Sequence, residues 1–471
     1  MKDRIEREIV ALDVEKIDFD DKELLKRLFL LLLNRIELLA QENQLLREEN
    51  QLLKDEIAHL KGEKGKPKIP PNVPPREKSP KAVKPKKRSK SSKNSEIKID
   101  REVHIAVNKS SLPPDAVYVG ERKVVTQNIV IKTDNVAYYL QRYYSRSLKK
   151  VFEADLPEDV KGSQFGAGLK STVAYLHYKC RVPQNKIHDL LTDIGVVISE
   201  GTISNMLTRD KATEFFAEKM SILEAGMIKA KYLQADESGA RHQGRNCYLH
   251  VICNDMFSYF AIKDRKSRST IYEVLGLEDG EKLEIPFVTD GARQYLDVSK
   301  RHAKCWIHEI RHYKKLVPFL DHHRSLLDKV MDQLWGLFDL LNRYKNHPDK
   351  SLRVIIEWKF NWLFSRRTGY TDLDERLAST DANRDGLLKV LDYPFVPIHN
   401  NAAEIAIREG VIKRKISYGT KSELGKRAWE NMFSIMDTCR KQEVNFFHYL
   451  NGIFSSRDDI PSLANLIYKA A

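Results

Sequence analysis

The sequence predicts a multidomain α/β protein. Its expected parts are an N-terminal coiled coil, a small β-rich module, a helical helix-turn-helix-like region and a mixed sheet with a helical insertion. Three observations point to this class. Leucines recur every seven residues from Leu25 to Leu60. Alternating Val/Ile/Tyr-rich segments give way near residue 166 to a helical period. After residue 231, three strand-like segments in series lead into a helix, strand, helix, strand run.

Length and charge bound these parts. The chain has 471 residues, 42% hydrophobic and 31% charged, enough for two or three domains with their own cores. Lys and Arg total 80 against 66 Asp and Glu, a net charge of +14 that suggests a polyanionic partner, nucleic acid first. The five cysteines (Cys180, Cys247, Cys253, Cys305, Cys439) are scattered and odd in number. They fit a reducing compartment and not a disulfide framework. The longest apolar run, LFLLLL at 28–33, is well short of the roughly 20 residues of a membrane span. The opening MKDRIEREIVALD has no signal-peptide core. We therefore expect a cytoplasmic, nucleoid-associated protein without a membrane partner.

Residues 20–62 read as a leucine-zipper coiled coil, the alternative being an amphipathic helix packed on its own domain. Leu25, Leu32, Leu39, Leu46, Leu53 and Leu60 fall at d, and Phe29, Ile36, Asn43, Asn50 and Ile57 at a. Glu42, Glu49 and Glu56 at g precede Arg47, Lys54 and Lys61 at e by five positions, which sets acid against base across a parallel interface. Asn43 and Asn50 favour one register of a homodimer. Residues 63–98 hold seven prolines, 13 Lys/Arg and three Asp/Glu, and are expected to form a disordered basic linker. Basic residues placed after the zipper and interrupted by proline cannot form the continuous groove-gripping helix of a basic-zipper regulator. They suit flexible arms that tether two bodies.

Segments such as "EVHIAV", "KVVTQNIVIKT" and "NVAYYLQRYYS" predict the β-rich module over 99–160. Residues 161–230 are expected to be helical. "VPQNKIHDLLTDIGVVISEGTISNMLTRDKATEFF" has Pro183 at a helix start, Gly195 at a break and Ser199 as an N-cap, the outline of a helix-turn-helix. Its second helix would present Thr202, Ser204, Asn205 and Arg209 to DNA.

The chemistry is expected in a domain over 231–420. "KYLQADESGA" is a strand ending in Asp236, and "NCYLHVICN" and "FSYFAIKDR" are two more strands at hairpin spacing. The helix "SRSTIYEVLG" follows, then a fourth strand "IPFVTDGARQY" stopping at Asp290 and a fifth, "HAKCWI". This is the strand order of a ribonuclease H-like fold, in which the first and fourth strands lie side by side. Asp236 and Asp290 would then share a pocket. "PIHNNAAEIAIREGVIKRK" supplies a third acid, Glu404, near the start of a helix that Asn400 or Asn401 caps. Three converging carboxylates repel one another unless cations neutralise them. Hard oxygen ligands suit two Mg²⁺ or Mn²⁺ ions and phosphodiester displacement. A helical insertion is expected at about 315–395 and C-terminal helices over 421–471.

The blocks "LQADESGAR", "VTDGARQY", "KCWIHEIRHYKKL" and "PIHNNAAEIAIREGVIKRKISYG" together resemble the insertion-sequence-66 family of transposases. The resemblance runs from about residue 160 to 455 and includes "GKRAWENMFSIMDTCRKQEVNFFHYL". It implies a DDE-type enzyme that cleaves transposon ends and joins the 3′ hydroxyl to target DNA. Asp236, Asp290 and Glu404 would be its catalytic metal ligands, and its partner double-stranded DNA, both transposon ends and target. Two departures stand out. No cysteine occupies "YYLQRYYSRSLKKVF", where the family often carries a zinc module, so no zinc is expected there. His399 and Ile405 replace the usual Asp before the Asn pair and the usual Arg after the Glu.

Around the acids, Cys305 and His308 have metal-like spacing but lack a second ligand pair, and are expected to support the site along with Asn400 and Asn401. Trp306 reads as core. Arg408 would pair with Glu404 or touch DNA. Lys413, Arg414 and Lys415 would meet the entering DNA strand or form a solvated face. Two rivals remain open: a zipper-dimerised DNA-binding regulator with an inactive domain, and a nuclease that cuts without strand transfer.

Overall fold

The structure, a computed structural model, describes residues 17–60, 97–108, 112–113, 115–157, 163–278, 280–457 and 459–470. Most of the expected linker, 63–96, lies outside the described residues, as do the side chains of the zipper positions Ile57 and Leu60. The chain forms two units, one of residues 1–47 with 135–471 and one of 48–134.

A single helix, α1 (Lys22–Leu60), carries the heptads. In the second unit the described residues from 97 to 134 form neither strand nor helix, and Ile105 and Val119 are 90% and 97% exposed. Over 99–160 the expected β module is therefore reduced, among the described residues, to one hairpin. It pairs β1 (Arg142–Ser145) with β2 (Lys150–Glu153). Alternation alone does not make a sheet here, because the Val and Ile side chains have no apolar face to cover.

The helical region comprises α2 (Ala167–Ala174), which runs on as a π-turn at Tyr175–Lys179, then α3 (Gln184–Asp193), α4 (Glu200–Thr208) and α5 (Ala212–Lys229). Pro183 occupies the N-cap of α3. The Ser199 hydroxyl caps α4 by accepting from the Thr202 amide at 3.2 Å, as the sequence predicts. Ile187, Leu191, Ile203, Met206 and Leu207 fix the pair by burial.

The mixed sheet has five strands: β3 (Leu233–His242), β4 (Arg245–Cys253), β5 (Ser258–Lys263), β6 (Phe287–Thr289) and β7 (His302–Lys304). Their order is β5-β4-β3-β6-β7, antiparallel through β3 and parallel beyond it. Helix α6 (Arg268–Leu275) makes the crossover from β5 to β6. Between β6 and β7 the expected helix is only a 3₁₀ turn, Arg293–Tyr295. The Asp290 carboxylate turns the chain there by accepting from the Ala292 amide at 2.8 Å.

Helix α7 (Trp306–Lys314) leads into the insertion, formed by α8 (Asp321–Asn346), α9 (Lys350–Phe364), α10 (Thr371–Ala382) and α11 (Arg384–Leu387). The insertion buries its own core, with Leu334, Leu341, Ile356, Phe360 and Leu373 fully enclosed. The chain returns to the sheet through α12 (Asn401–Ser417) and α13 (Glu423–Lys441), and ends in α14 (Phe446–Phe454) and α15 (Leu463–Ala470).

Two contacts fix these helices on the sheet. Gly410 lets α12 lie against β4, since a Cβ there would stand 2.1 Å from Leu249 Cδ2. Helix α13 covers the edge strand. Thr438 Oγ1, Ser434 Oγ and Glu430 Oε1, four residues apart, accept from the amides of Ser258, Phe260 and Ile262 at 3.1, 2.9 and 2.7 Å. A helix repeat of four thus matches a strand repeat of two, and the edge offers those amides to no other strand.

The first half of α1 packs on the insertion through the side that carries Leu30, Asn34 and Glu37. Glu37 is 1% exposed, and its carboxylate accepts from the amides of Phe319 and Leu320 at 2.6 and 3.0 Å and pairs with His323 Nδ1 at 3.1 Å. Asn34 donates to Gly369 O at 2.7 Å and accepts from Thr371 N at 2.9 Å. Gly369 has φ +87°, a conformation that favours glycine, and a Cβ there would also push the Leu30 methyl aside from 2.7 Å. On the other side of the helix, Phe29, Leu32, Ile36 and Leu39 are 64, 43, 49 and 42% exposed. Residues 22–47 are thus held directly on the body and do not hang from a flexible arm.

Candidate active site

The strand register brings Asp236 and Asp290 together. Leu233 stands opposite Phe287 and Gln234 opposite Val288, an offset of 54 residues. The same offset separates Asp236 from Asp290, so the two acids stand at equivalent points of adjacent parallel strands; β3 does not end at Asp236 as the sequence predicts but runs on to His242, paired with β4. Asp236 accepts from the Glu237 amide at 2.9 Å.

Glu404 arrives from the first turn of α12. That helix is stapled to β3 by Asn400, which is fully buried and donates from its amide side chain to Ala235 O at 2.7 Å. Asn400 thus sits at the N-cap but spends its side chain on the sheet. Its backbone amide donates to Cys305 Sγ at 3.2 Å, and Asn401 is exposed. Gln234 donates to His399 O at 2.7 Å, a second tie between β3 and the start of the helix. Trp306 is core, as expected: it is fully buried, and its indole donates to Leu387 O at 2.7 Å.

The electrostatics match three acids held close. Burial, then repulsion from Glu237, Asp290 and Glu404, pushes the Asp236 carboxyl up to about 7. Glu237, next in sequence, was not foreseen. Its pKa is also raised, first by burial, although it accepts from Tyr295 Oη and, at 2.6 Å, from Gln294 Nε2. It fastens the turn that follows Asp290. Arg311 was likewise missed. Its guanidinium lies 3.2 Å from Glu404 Oε2 and 3.1 Å from His308 Nε2. Its place three residues after His308 on one helix was a readable clue. Glu404 Oε1 is buried without a hydrogen-bond partner, so the acid cluster holds unspent acceptor capacity of the kind a hard divalent cation takes up.

Among the described residues, Cys305, His308 and Glu404 bring three potential ligand atoms within 4.8 Å of one another. A cleft of about 860 Å³ lies elsewhere, among Asp210, Phe216, Arg265, Glu273, Lys426 and Arg427, and contains none of the three acids.

The basic residues after Glu404 divide. Arg408 and Lys415 are exposed. Lys413 is not on a DNA-facing surface: it is 1% exposed and donates to His177 O at 2.7 Å. Burial pulls its pKa down to about 7. Helical phase turns it inward, between the exposed Arg408 and Lys415. The Arg414 guanidinium donates to Gly239 O, which ties α12 to β3. Replacing Lys413 with Ala is expected to cost about 1–3 kcal/mol of stability, because His177 O loses its buried donor. DNA affinity and its salt dependence should stay unchanged. A reduced salt slope in a binding titration would return Lys413 to the DNA surface. On α4, Asn205 and Arg209 are exposed, while Thr202 and Ser204 are half-buried.

Fold and site together define a class: α/β proteins that gather carboxylates from adjacent parallel strands beside a helix that adds a third. Comparison with known proteins is in accord. The chain belongs to the IS66 family of transposases, since the sequence model described as "Transposase IS66 family" matches residues 162–428. Among similar proteins is the uncharacterized protein y4jO of Sinorhizobium fredii strain NGR234, 28% identical over 299 residues, 49% of this chain and 93% of that protein. The uncharacterized protein y4qI of the same strain is 25% identical over 188 residues, 34% of each chain. DNA transposition is the activity of the family, and DNA its partner. Among the described residues, no helix is long and apolar enough to cross a membrane.

Proposed function

We propose that the chain is a DDE transposase with a ribonuclease H-like catalytic domain, and that Asp236, Asp290 and Glu404 hold two Mg²⁺ or Mn²⁺ ions. The observation that carries this reading is the raised Asp236 carboxyl beside Asp290 and Glu404, a concentration of acid in which Arg311 compensates only Glu404. When bound, the ions would activate the attacking oxygen and stabilise the leaving one. The protein's own part is positional. The β3/β6 register sets the two aspartates, Asn400 fixes the start of α12, and Arg311 holds one oxygen of Glu404.

In the first step, water attacks the phosphorus at the element end. Its oxygen joins the phosphate, and the 3′ oxygen departs with a proton. In the second, that 3′ hydroxyl attacks a target phosphodiester and displaces the target's own 3′ oxygen. Labelled element-end DNA with a target plasmid separates the readings. Joined product supports a transposase, nicked product alone supports a nuclease, and binding without cleavage supports a regulator.

DNA contacts fall to the exposed Arg408, Lys415, Asn205 and Arg209, with the basic linker adding phosphate contacts that do not read sequence. Two copies pair in parallel through the a/d seam of α1. The opposite side of that helix, with Leu30, Asn34 and Glu37, is the one docked on the insertion, which leaves Phe29, Leu32, Ile36 and Leu39 outward. The protein would work on chromosomal DNA in the cytoplasm.

A further inference from the structure

We propose that Cys305, His308 and Glu404 form a second cation site, selective for a borderline-soft transition ion of the Zn²⁺ class, and that its occupation inhibits the enzyme by withdrawing Glu404 from the Asp236–Asp290 pair. Only the inhibition rests on the function proposed above. Binding rests on the three side chains alone.

Each donor type is present. A thiol, an imidazole and a carboxylate lie with one ligand atom each inside 4.8 Å. Tetrahedral zinc with bonds of 2.0–2.3 Å places its ligand atoms about 3.5 Å apart, and His308 Nδ1 already stands 3.6 Å from Glu404 Oε1. Both of these atoms are buried and have no hydrogen-bond partner, so Glu404 Oε1 offers an unused lone pair, and His308 Nδ1 offers one to the same point once the ring proton sits on Nε2.

The sulfur sits among amide donors but stays a thiol until a cation arrives. Cys305 is 1% exposed at the N-cap of α7, where the amides of Ile307, His308 and Asn400 converge on Sγ. Burial holds the thiol above its ordinary pKa, while those amides act in the opposite direction. A cation would tip the balance to thiolate. Three protein ligands leave a fourth position for water, the pattern of an open zinc site. Mg²⁺ disfavours sulfur and nitrogen, so the site discriminates by ligand chemistry from the all-carboxylate one.

Arg311 competes for the same place. It donates toward His308 Nε2 and holds Glu404 Oε2, and its side chain is 49% exposed. Entry of the ion requires the proton of His308 to sit on Nε2 and the guanidinium to swing outward. Glu404 cannot then serve two centres, so Zn²⁺ would act against Mg²⁺-supported cleavage.

Cobalt titration of the metal-free, full-length chain tests this. One equivalent of Co²⁺ should produce a thiolate-to-cobalt absorption band in the near ultraviolet, with the visible bands of four-coordinate cobalt, and Zn²⁺ should erase both. Cys305→Ser should lose the ultraviolet band. His308→Ala should bind at least tenfold more weakly, Arg311→Ala should bind more tightly, and Asp236→Asn should bind as the parent does. Circular dichroism checks that each variant is folded.

No band with the parent chain, or an unchanged band with folded Cys305→Ser, overturns the site. If Zn²⁺ binds but leaves Mg²⁺-supported cleavage intact, the inhibitory role fails. A parent chain that shows the cobalt band but never cleaves with Mg²⁺ would instead refute the proposed function while the site stands.

Discussion

Asp236→Asn is expected to lower end cleavage by about 10³-fold or more, a loss of roughly 4 kcal/mol of transition-state stabilisation, and to make the metal-free protein more stable at pH 8. The second half follows from the carboxyl's pKa, raised by burial and by its acidic neighbours to about 7 from 3.8. The folded chain binds that proton more tightly than the unfolded one. The stabilising contribution is therefore fully present below about pH 4 and is lost as pH rises through 7. Above pH 7 the apo site carries the full cost of a buried charge beside other acids, on the order of 1–3 kcal/mol after allowance for partial exposure. An asparagine removes it at the cost of function. Thermal melts from pH 5 to 8 check the sign. The parent should lose stability over that range unless Mg²⁺ is added, and Asp236→Asn should be flatter and indifferent to Mg²⁺. A Mg²⁺-dependent shift that survives in the variant would remove Asp236 from the ion site.

The aspartate pair was legible in the sequence because a parallel register is a matter of counting. Two positions 54 residues apart on neighbouring strands need only an offset of 54 to coincide. Glu404 was legible because helix starts announce themselves, and Ser199 for the same reason. Other parts of the fold and site were not. Polar residues at outer heptad positions look solvated, and nothing local marks Glu37 as buried beside a histidine 286 residues away. Lys413 sits in a basic run that reads as surface, yet helical phase turns it inward onto His177. The β-rich stretch failed in the opposite sense. Its propensity is real, but Val119 and Ile129 are 97% and 83% exposed, with no apolar face to dock on. Convergence of Cys305, His308 and Glu404 depends on how α7 and α12 meet over β3, a tertiary fact with no sequence period.

Glu37→Ala is expected to detach the first half of α1 from the insertion, with a local cost of about 3–5 kcal/mol, the scale of breaking a buried polar or ionic set from one side. The carboxylate occupies the N-terminus of α8, where the Phe319 and Leu320 amides have no helical partner and the helix dipole favours an anion. His323 is fully buried and stacks on Tyr370 at 4.3 Å. Burial lowers the pKa of its ring, which suits a neutral imidazole donating from Nδ1 to Glu37. Removing the acid strands two amides and an imidazole at once. Hydrogen exchange should rise sharply over residues 22–47 and at the start of α8, while the sheet core stays protected. Leu32→Lys with Leu39→Lys should do the reverse: the self-association proposed for the seam is lost, and residues 22–47 stay protected on the insertion. The two variants therefore separate pairing from coupling. A seam held rigidly to each body would set the spacing of two element ends. Paired-end assembly should then fail in both variants, and single-end DNA binding should survive in both. If Glu37→Ala assembles paired ends normally, the zipper acts as a tether alone, and its docking on the insertion carries no geometric information to the DNA.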